Sequence, residues 1–193
     1  EGRPTAWRQR TVFPTIGWIF DDSSARGGAG ELGLGFSDLA FEVPNLRVEV
    51  GDAKTHVRVG WLRSVANIYH AFAIHSFADE LAHLAGRDSL DYMLDLIGKP
   101  RHVDMSKVEY SNYDQSLEIY PVDTGRLAST LKLAADKIGW GRKLPKGRGL
   151  GLAVHRSFLT YVAAAVEVDV SKAGKVSIPR VEMAVDCGLY VNK

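Results

Sequence analysis

Cysteine is almost missing from this sequence: Cys187 is the only one. That excludes an internal disulfide framework and a multi-cysteine zinc or iron–sulfur site. An excess of charge is missing too, since 24 Lys and Arg stand against 23 Asp and Glu, a net of +1. No global field therefore draws in nucleic acid or an anionic membrane, and any such binding has to be local. No apolar run approaches the roughly 18 residues of a membrane span, and there is no solenoid-period repeat or low-complexity tract. The chain also lacks a starting Met and a signal peptide. It opens on Glu1-Gly2-Arg3-Pro4 and closes on Val191-Asn192-Lys193, and it reads as a piece of something longer. The compartment, cytoplasmic or exported, is not legible.

What is present is ordinary globular material: 193 residues, 46% hydrophobic and 24% charged. A chain of this length forms one domain or two small ones and buries roughly 70% of its unfolded surface. A strand is expected over 6–13, stopped by Pro14. Residues 21–36 (DDSSARGGAGELGLGF) are rich in Asp, Ser and Gly and read as a flexible loop. Residues 46–50 and 56–60 alternate with period two around Gly51-Asp52-Ala53-Lys54, which predicts a hairpin.

From Val65 to Gly86 the period becomes helical. Ile74, Phe77, Leu81 and Leu84, extended by Val65, Ile68 and Phe72, form the expected buried stripe, and Gly86 stops the helix. Asp88 or Ser89 caps a second helix ended by Gly98 and Pro100. Thr124 or Asp123 caps a third, over 125–138, with Leu127, Leu131, Ala134, Ala135 and Ile138 inward. Strands follow at 150–156, 159–170 and 175–187, with Pro179 expected at an edge or a bulge. The order strands, helices, strands predicts an α+β fold of mixed sheets with packed helices rather than βαβ winding. Its parts are the loop 21–36, a helical part over 64–138 and a strand-rich part over 148–192.

The isolated motifs are weak. Gly28-Ala29-Gly30-Glu31-Leu32-Gly33 fits G-x-G-x-x-G, but no strand precedes it and no helix pattern follows, so it reads as loop. The loop around Arg142, Lys143, Lys146 and Arg148 is the one local basic cluster. It is a candidate anion or subunit contact, against the plainer reading of a solvated loop. Only Trp140 accompanies it, too few aromatics for a nucleic-acid stacking platform, so no nucleic acid is expected as a partner. Glu80 and His83 form one E-x-x-H copy on a polar face, where a di-iron bundle needs two copies. His75, beside the apolar stripe, reads as a packed, hydrogen-bonded core residue. Cys187 reads as a buried inert thiol, and Asp186 as a carboxylate that caps a turn by holding a backbone N–H.

Two longer stretches say more together. The first is Gly60-Trp61-Leu62-Arg63-Ser64-Val65-Ala66-Asn67, then Phe72, Ser76-Phe77-Ala78-Asp79-Glu80-Leu81-Ala82 and Ala85-Gly86-Arg87-Asp88. The second is Gly147-Arg148-Gly149-Leu150-Gly151-Leu152-Ala153-Val154-His155-Arg156-Ser157-Phe158, running on through Val166-Glu167-Val168 and Arg180-Val181 to Ala184-Val185-Asp186-Cys187-Gly188-Leu189-Tyr190-Val191-Asn192. In order and nearly end to end, with Ala6–Arg10 and Val43–Glu49, the chain resembles the isoquinoline 1-oxidoreductase beta-subunit family. These are molybdopterin-binding large subunits of the xanthine dehydrogenase/aldehyde oxidase superfamily.

The resemblance implies part of a molybdenum-cofactor-binding domain. It implies molybdopterin, as the cytosine dinucleotide, in the full protein, an iron–sulfur small subunit as electron acceptor, and hydroxylation of an N-heterocycle or an aldehyde. Arg63, Ser64 and Asn67 match positions at the cofactor, and Val65 falls where relatives carry a substrate-stacking aromatic. The family's Gly-Gln-Gly and Gly-x-Gly-Glu segments are absent, the second of which carries the catalytic Glu. The resemblance therefore implies an internal fragment with no catalytic residue or metal ligand of its own, inactive and without bound cofactor when alone. His75 replaces the usual Glu, Leu62 an aromatic, Ser89 and Lys193 a Pro. His75, Val65 and the missing segments support the competing expectation, a non-catalytic α+β binding or scaffold domain that has lost the site.

Overall fold

A computed structural model describes residues 2–192. The architecture is α+β, as the element order predicts. Strands β1 (Trp7–Val12) and β2 (Leu46–Gly51) form a two-stranded sheet. A short helix α1 (Ala29–Leu32) lies between them in sequence. Helices α2 (Asn67–Leu84), α3 (Ser89–Ile97) and α4 (Thr124–Ile138) follow. Strands β3 (Arg148–Ser157), β4 (Thr160–Val170) and β5 (Val176–Asp186) then make an antiparallel sheet in the order β3-β4-β5. Among the described residues no helix is long and apolar enough to cross a membrane.

The caps fall where short polar side chains can reach free N–H groups. Asp88 accepts from the N–H groups of Leu90 and Asp91 at 2.9 and 3.1 Å. Asp123 rather than Thr124 caps α4, accepting from Gly125 N–H at 2.7 Å and Arg126 N–H at 3.2 Å. Gly139 closes α4 in the left-handed conformation, φ 73°, which costs a glycine no Cβ strain. Helix α4 lies on one face of the β3–β5 sheet. Leu127, Leu131, Ala134 and Ile138 meet Val154, Tyr161, Ala163, Ala165 and Ala184 there in one buried core. The alanines on β4 keep that face shallow, so the helix backbone approaches closely. On the opposite sheet face Val181, Met183 and Val185 are half exposed or more.

Two sequence expectations fail here. Residues 56–60 form no strand, and β2 does not turn back into a hairpin. Instead β2 pairs in parallel with β1, from Trp7 opposite Leu46 to Val12 opposite Gly51. Trp7, 3% exposed, edge-stacks on Phe41 and Phe77, and this burial holds β1 in place as the partner. The stripe expected on α2 is also misaligned. Ile74 is buried, yet Phe77 is 45%, Phe72 75% and Leu84 81% exposed. The buried face runs through Asn67, His70, Ile74, His75, Ala78 and Ala82 instead. Asn67 and His70, which find partners inside the core, displace the apolar stripe.

The stretch 21–36 is a featureless loop only in its first part. Glu31 of α1 accepts from the Thr15 hydroxyl and from Ile16 N–H, and Phe36 is buried. Gly35, at φ +87°, sits so close to His155 that a Cβ would lie 2.6 Å from that ring. Pro179 satisfies both parts of its expectation. It lies on the edge strand β5, and the register breaks beside it, with Glu167 opposite Arg180 but Asp169 opposite Ser177. Cys187 contradicts its expectation: it is exposed, because β5 ends at Asp186 and the chain leaves the sheet.

Candidate functional site

The segment singled out by the sequence is the turn leading into α2. Leu62 O accepts from Val65 N–H at 3.0 Å, and Ser64 O accepts from Asn67 N–H at 3.0 Å. Ser64 and Val65 both take positive φ, 67° and 47°. For a β-branched residue that is a rare conformation, costing on the order of 1–3 kcal/mol. It persists because Asn67 fixes the turn from below. Asn67 is 2% exposed, and its amide donates to Ser64 O at 3.0 Å while its Oδ1 faces His155 Nε2 at 2.8 Å. The Ser157 hydroxyl meets the Ser64 hydroxyl at 3.2 Å. The end of β3 and the start of α2 are thus stitched through this turn.

The four residues named from the sequence lie together in that turn, but they face different surroundings. Arg63 is exposed and makes no ion pair or hydrogen bond among the described residues. Ser64 is half-buried against β3. Asn67 is fully enclosed, with its polar atoms engaged by protein. Val65 lines a cleft of about 410 Å³ with Phe13, Ile16, Leu62, Ile68 and Tyr69. Arg63 does not line that cleft, whereas Arg58 and Glu31 do. Burial, and then the Glu31 charge, push the Tyr69 phenol up to about 12.

The entry to α2 carries no acidic side chain in its first turn. The residue before α2 is Ala66, which offers no side chain to the helix N-terminus. The positive end of the helix dipole is therefore left without an acidic cap, and the unpaired guanidinium of Arg63 lies three residues earlier. Among the described residues no group of three or more His, Cys, Asp or Glu could hold a metal ion.

Beneath the turn lies a polar cluster that sequence reasoning missed apart from His75. Arg156 is 6% exposed and donates to the Tyr110 hydroxyl at 2.7 Å, to Asn112 Oδ1 at 2.8 Å and to Tyr120 O at 3.2 Å. It holds the run Asn112–Asp114, all three residues of which have positive φ. Asp38 accepts from Gly35 N–H at 2.8 Å, and burial raises its carboxyl to about 7, against a smaller opposing pull from Arg156. Burial drops His75 to about 4 and His155 to about 3, so both rings are neutral at ordinary pH. The rings of His75 and His155 meet edge to face at 6.2 Å, and His75 Nδ1 has no partner among the described residues. One signal was available in the sequence. Arg156 stands two residues after Val154 on a period-two strand, which puts both on the inward face. The cavity enclosed by Asp38, His75, His155 and Arg156 is about 30 Å³, and His75 and His155 also line an open cleft of about 390 Å³ between α2 and β3.

The remaining candidates resolve simply. Glu80 and His83 are exposed on α2, as a solvated face should be. Asp186 does hold a backbone N–H, from Gly188 at 3.1 Å, and also receives Arg126 through two bonds of 2.7 and 2.8 Å. The arginines of the basic loop are not free for an anion. Arg142 and Arg148 both pair with Glu167, and Arg148 also reaches Asp169 at 3.0 Å.

No family model matches the chain. Two curated proteins are similar to it. Over 169 residues it is 29% identical to a nicotinate dehydrogenase subunit of Pseudomonas putida, covering 84% of this chain and 13% of that protein. Over 163 residues it is 28% identical to the membrane-bound, pyrroloquinoline-quinone aldehyde dehydrogenase of Gluconacetobacter polyoxogenes, covering 79% of this chain and 19% of that protein. The chain therefore spans less than a fifth of either relative's length. Both relatives are dehydrogenases by name. They support the broad class, the molybdopterin oxidoreductase superfamily, without singling out the isoquinoline 1-oxidoreductase family within it.

Proposed function

We propose that this chain is part of the large subunit of a molybdopterin-dependent hydroxylase of the isoquinoline 1-oxidoreductase type, acting on an N-heterocycle or an aldehyde. The single observation that carries the reading is the turn at 63–67. It is strained at Ser64 and Val65, pinned by buried Asn67, and presents an unpaired Arg63 beside an uncapped helix. Strain that a fold maintains at such cost clusters at functional sites.

In this reading Arg63 and Ser64 hold the anionic cofactor, with Asn67 as a positioning residue that keeps the turn in register. Val65 forms an apolar wall of the substrate cleft, smaller than the aromatic of relatives and without a stacking face. The cofactor, as its cytosine dinucleotide, supplies the two-electron oxidation of the substrate C–H bond, and an iron–sulfur small subunit takes the electrons. The catalytic Glu lies outside these 193 residues. The piece alone is inactive and binds no cofactor.

Elemental analysis of the native, full-length polypeptide tests this. About one molybdenum per polypeptide is the expected result. A quinone without molybdenum, or neither, overturns it. The absence of both would favour the second reading, a scaffold domain without a site. That reading draws on the inward use of Asn67 and His75.

A further inference from the structure

The two-stranded sheet of β1 and β2 is an unusual object. Parallel strands are found almost entirely inside larger, covered sheets, and an isolated pair is marginal in water. The register leaves one edge of β1 open. Trp7 N–H donates to Asn45 O at 2.7 Å, so Trp7, Gln9 and Thr11 direct their backbone groups to β2. By alternation the N–H and C=O groups of Arg8 and Arg10 point away from β2, and they find no partner among the described residues.

That open edge does not face bulk solvent across a flat surface. It borders a groove of about 560 Å³ between β1 and α2. The far wall is aromatic: Phe72, 75% exposed, together with Phe77 and Tyr69. No acidic residue lines the groove. On the strand side Arg8 and Arg10 share a single carboxylate, Glu49, at 3.3 and 2.6 Å, and Arg47 approaches the same carboxylate at 2.7 Å. Three guanidiniums on one carboxylate leave a surplus of two positive charges on the outer face of the strand pair, with Arg8 and Arg10 on the strand that carries the open edge.

We propose that this groove takes an extended segment of a partner polypeptide as a third strand on β1. The segment carries apolar side chains at alternate positions and carboxylates at the others. Its backbone pairs with Arg8 and Arg10, as in other strand additions to a sheet edge. Its apolar side chains lie against Phe72 and Phe77. Its carboxylates, on the opposite face because side chains alternate, meet the unneutralised charge of Arg8 and Arg10. The proposal stands on β1, β2 and α2 and does not depend on the reading of residues 63–67.

The test is fluorescence anisotropy on the full chain with a labelled peptide of about eight residues alternating Glu and Val, at low salt. The expected result is saturable binding in the micromolar range, weakened about tenfold by replacing each Glu with Lys and by Phe72→Asp in the protein. Because Phe72 is exposed, circular dichroism of the Phe72→Asp variant should match the parent. Arg10→Pro removes an edge-facing N–H and no backbone bond to β2, along with the side-chain pair to Glu49, and should weaken binding more than Arg10→Ala, which loses the side chain alone. No saturation up to about 1 mM, or equal binding of the Lys peptide, overturns the proposal. So does sedimentation showing that a second copy of the chain already covers the groove.

Discussion

The Nε2 atom of His155 lies 2.8 Å from Oδ1 of Asn67, although 88 residues separate them. Burial keeps His155 neutral, so the ring donates one proton and Asn67 accepts it, which leaves the Asn67 amide free to donate to Ser64 O. One buried side chain therefore ties the last turn of β3 to the strained entry of α2. Asn67→Ala strands a buried ring nitrogen and leaves Ser64 O with the backbone N–H of residue 67 alone, and should destabilise the fold by about 1–3 kcal/mol. Thermal unfolding measures it. Asn67→Asp retains the acceptor for His155 but loses the donor, and should fall between the two.

Gly35 and Gly28 make a matched pair. At Gly35 the positive φ and the His155 ring both exclude a side chain, whereas at Gly28 nothing lies within 4 Å of an added Cβ. Gly35→Ala should cost about 1–3 kcal/mol or more, and Gly28→Ala should change stability by a few tenths at most. Equal midpoints in a urea titration would show that the 33–38 turn can relax away from His155.

The buried titrating groups act in opposite directions on stability. His75 and His155 have folded values near 4 and 3, below the ordinary 6.5, so their contribution is present above pH 6.5 and is lost as pH falls toward 4. Asp38, raised from 3.8 to about 7, contributes stability that is complete below pH 4 and is lost as pH rises through 7. Burial lowers His70 as well, so three rising contributions oppose one falling one, and stability should climb from pH 4 to 6.5. Asp38→Asn removes the falling contribution and should steepen that climb. Urea midpoints at several pH values would read both slopes, and a slope unchanged by the substitution would refute the assignment.

These stretches also show what the sequence discloses. The helices α3 and α4 are legible almost to the residue, because Asp88, Gly98, Asp123 and Gly139 are local signals whose chemistry needs no tertiary partner. The antiparallel sheet is legible for the same reason, down to the irregularity beside Pro179. The parallel pairing of β1 with β2 is not, since nothing near Leu46 names Trp7 as its partner. The orientation of α2 is hidden too, because His70 looks polar in sequence and becomes interior only when Leu34 and Thr11 meet it, whereas the burial of His75 is legible from its place beside the apolar stripe. At the candidate site, the turn 63–67 was legible as a motif. Its strain and the enclosure of Asn67 were not.

Arg63 offers the sharpest separation of function from stability. It is exposed and unpaired, so Arg63→Ala should leave the unfolding midpoint within about 0.5 kcal/mol of the parent. In the full-length polypeptide the same substitution should lower molybdenum occupancy or turnover. Unchanged metal content and rate would remove Arg63 from the cofactor site. Arg63→Lys keeps the charge but loses the planar fork, and should recover only part of the loss.

Glu167 carries an uneven burden. It is 6% exposed, and the guanidiniums of Arg142 and Arg148 both rest on it. Losing either arginine leaves an acid that still has a partner. Losing the acid leaves two like charges facing each other at the join of α4 and the sheet, with only Asp169 to share between them. The weakest point of this junction is thus the anion both arginines share. A mutational scan should tolerate the loss of either arginine far better than the loss of Glu167 beneath them.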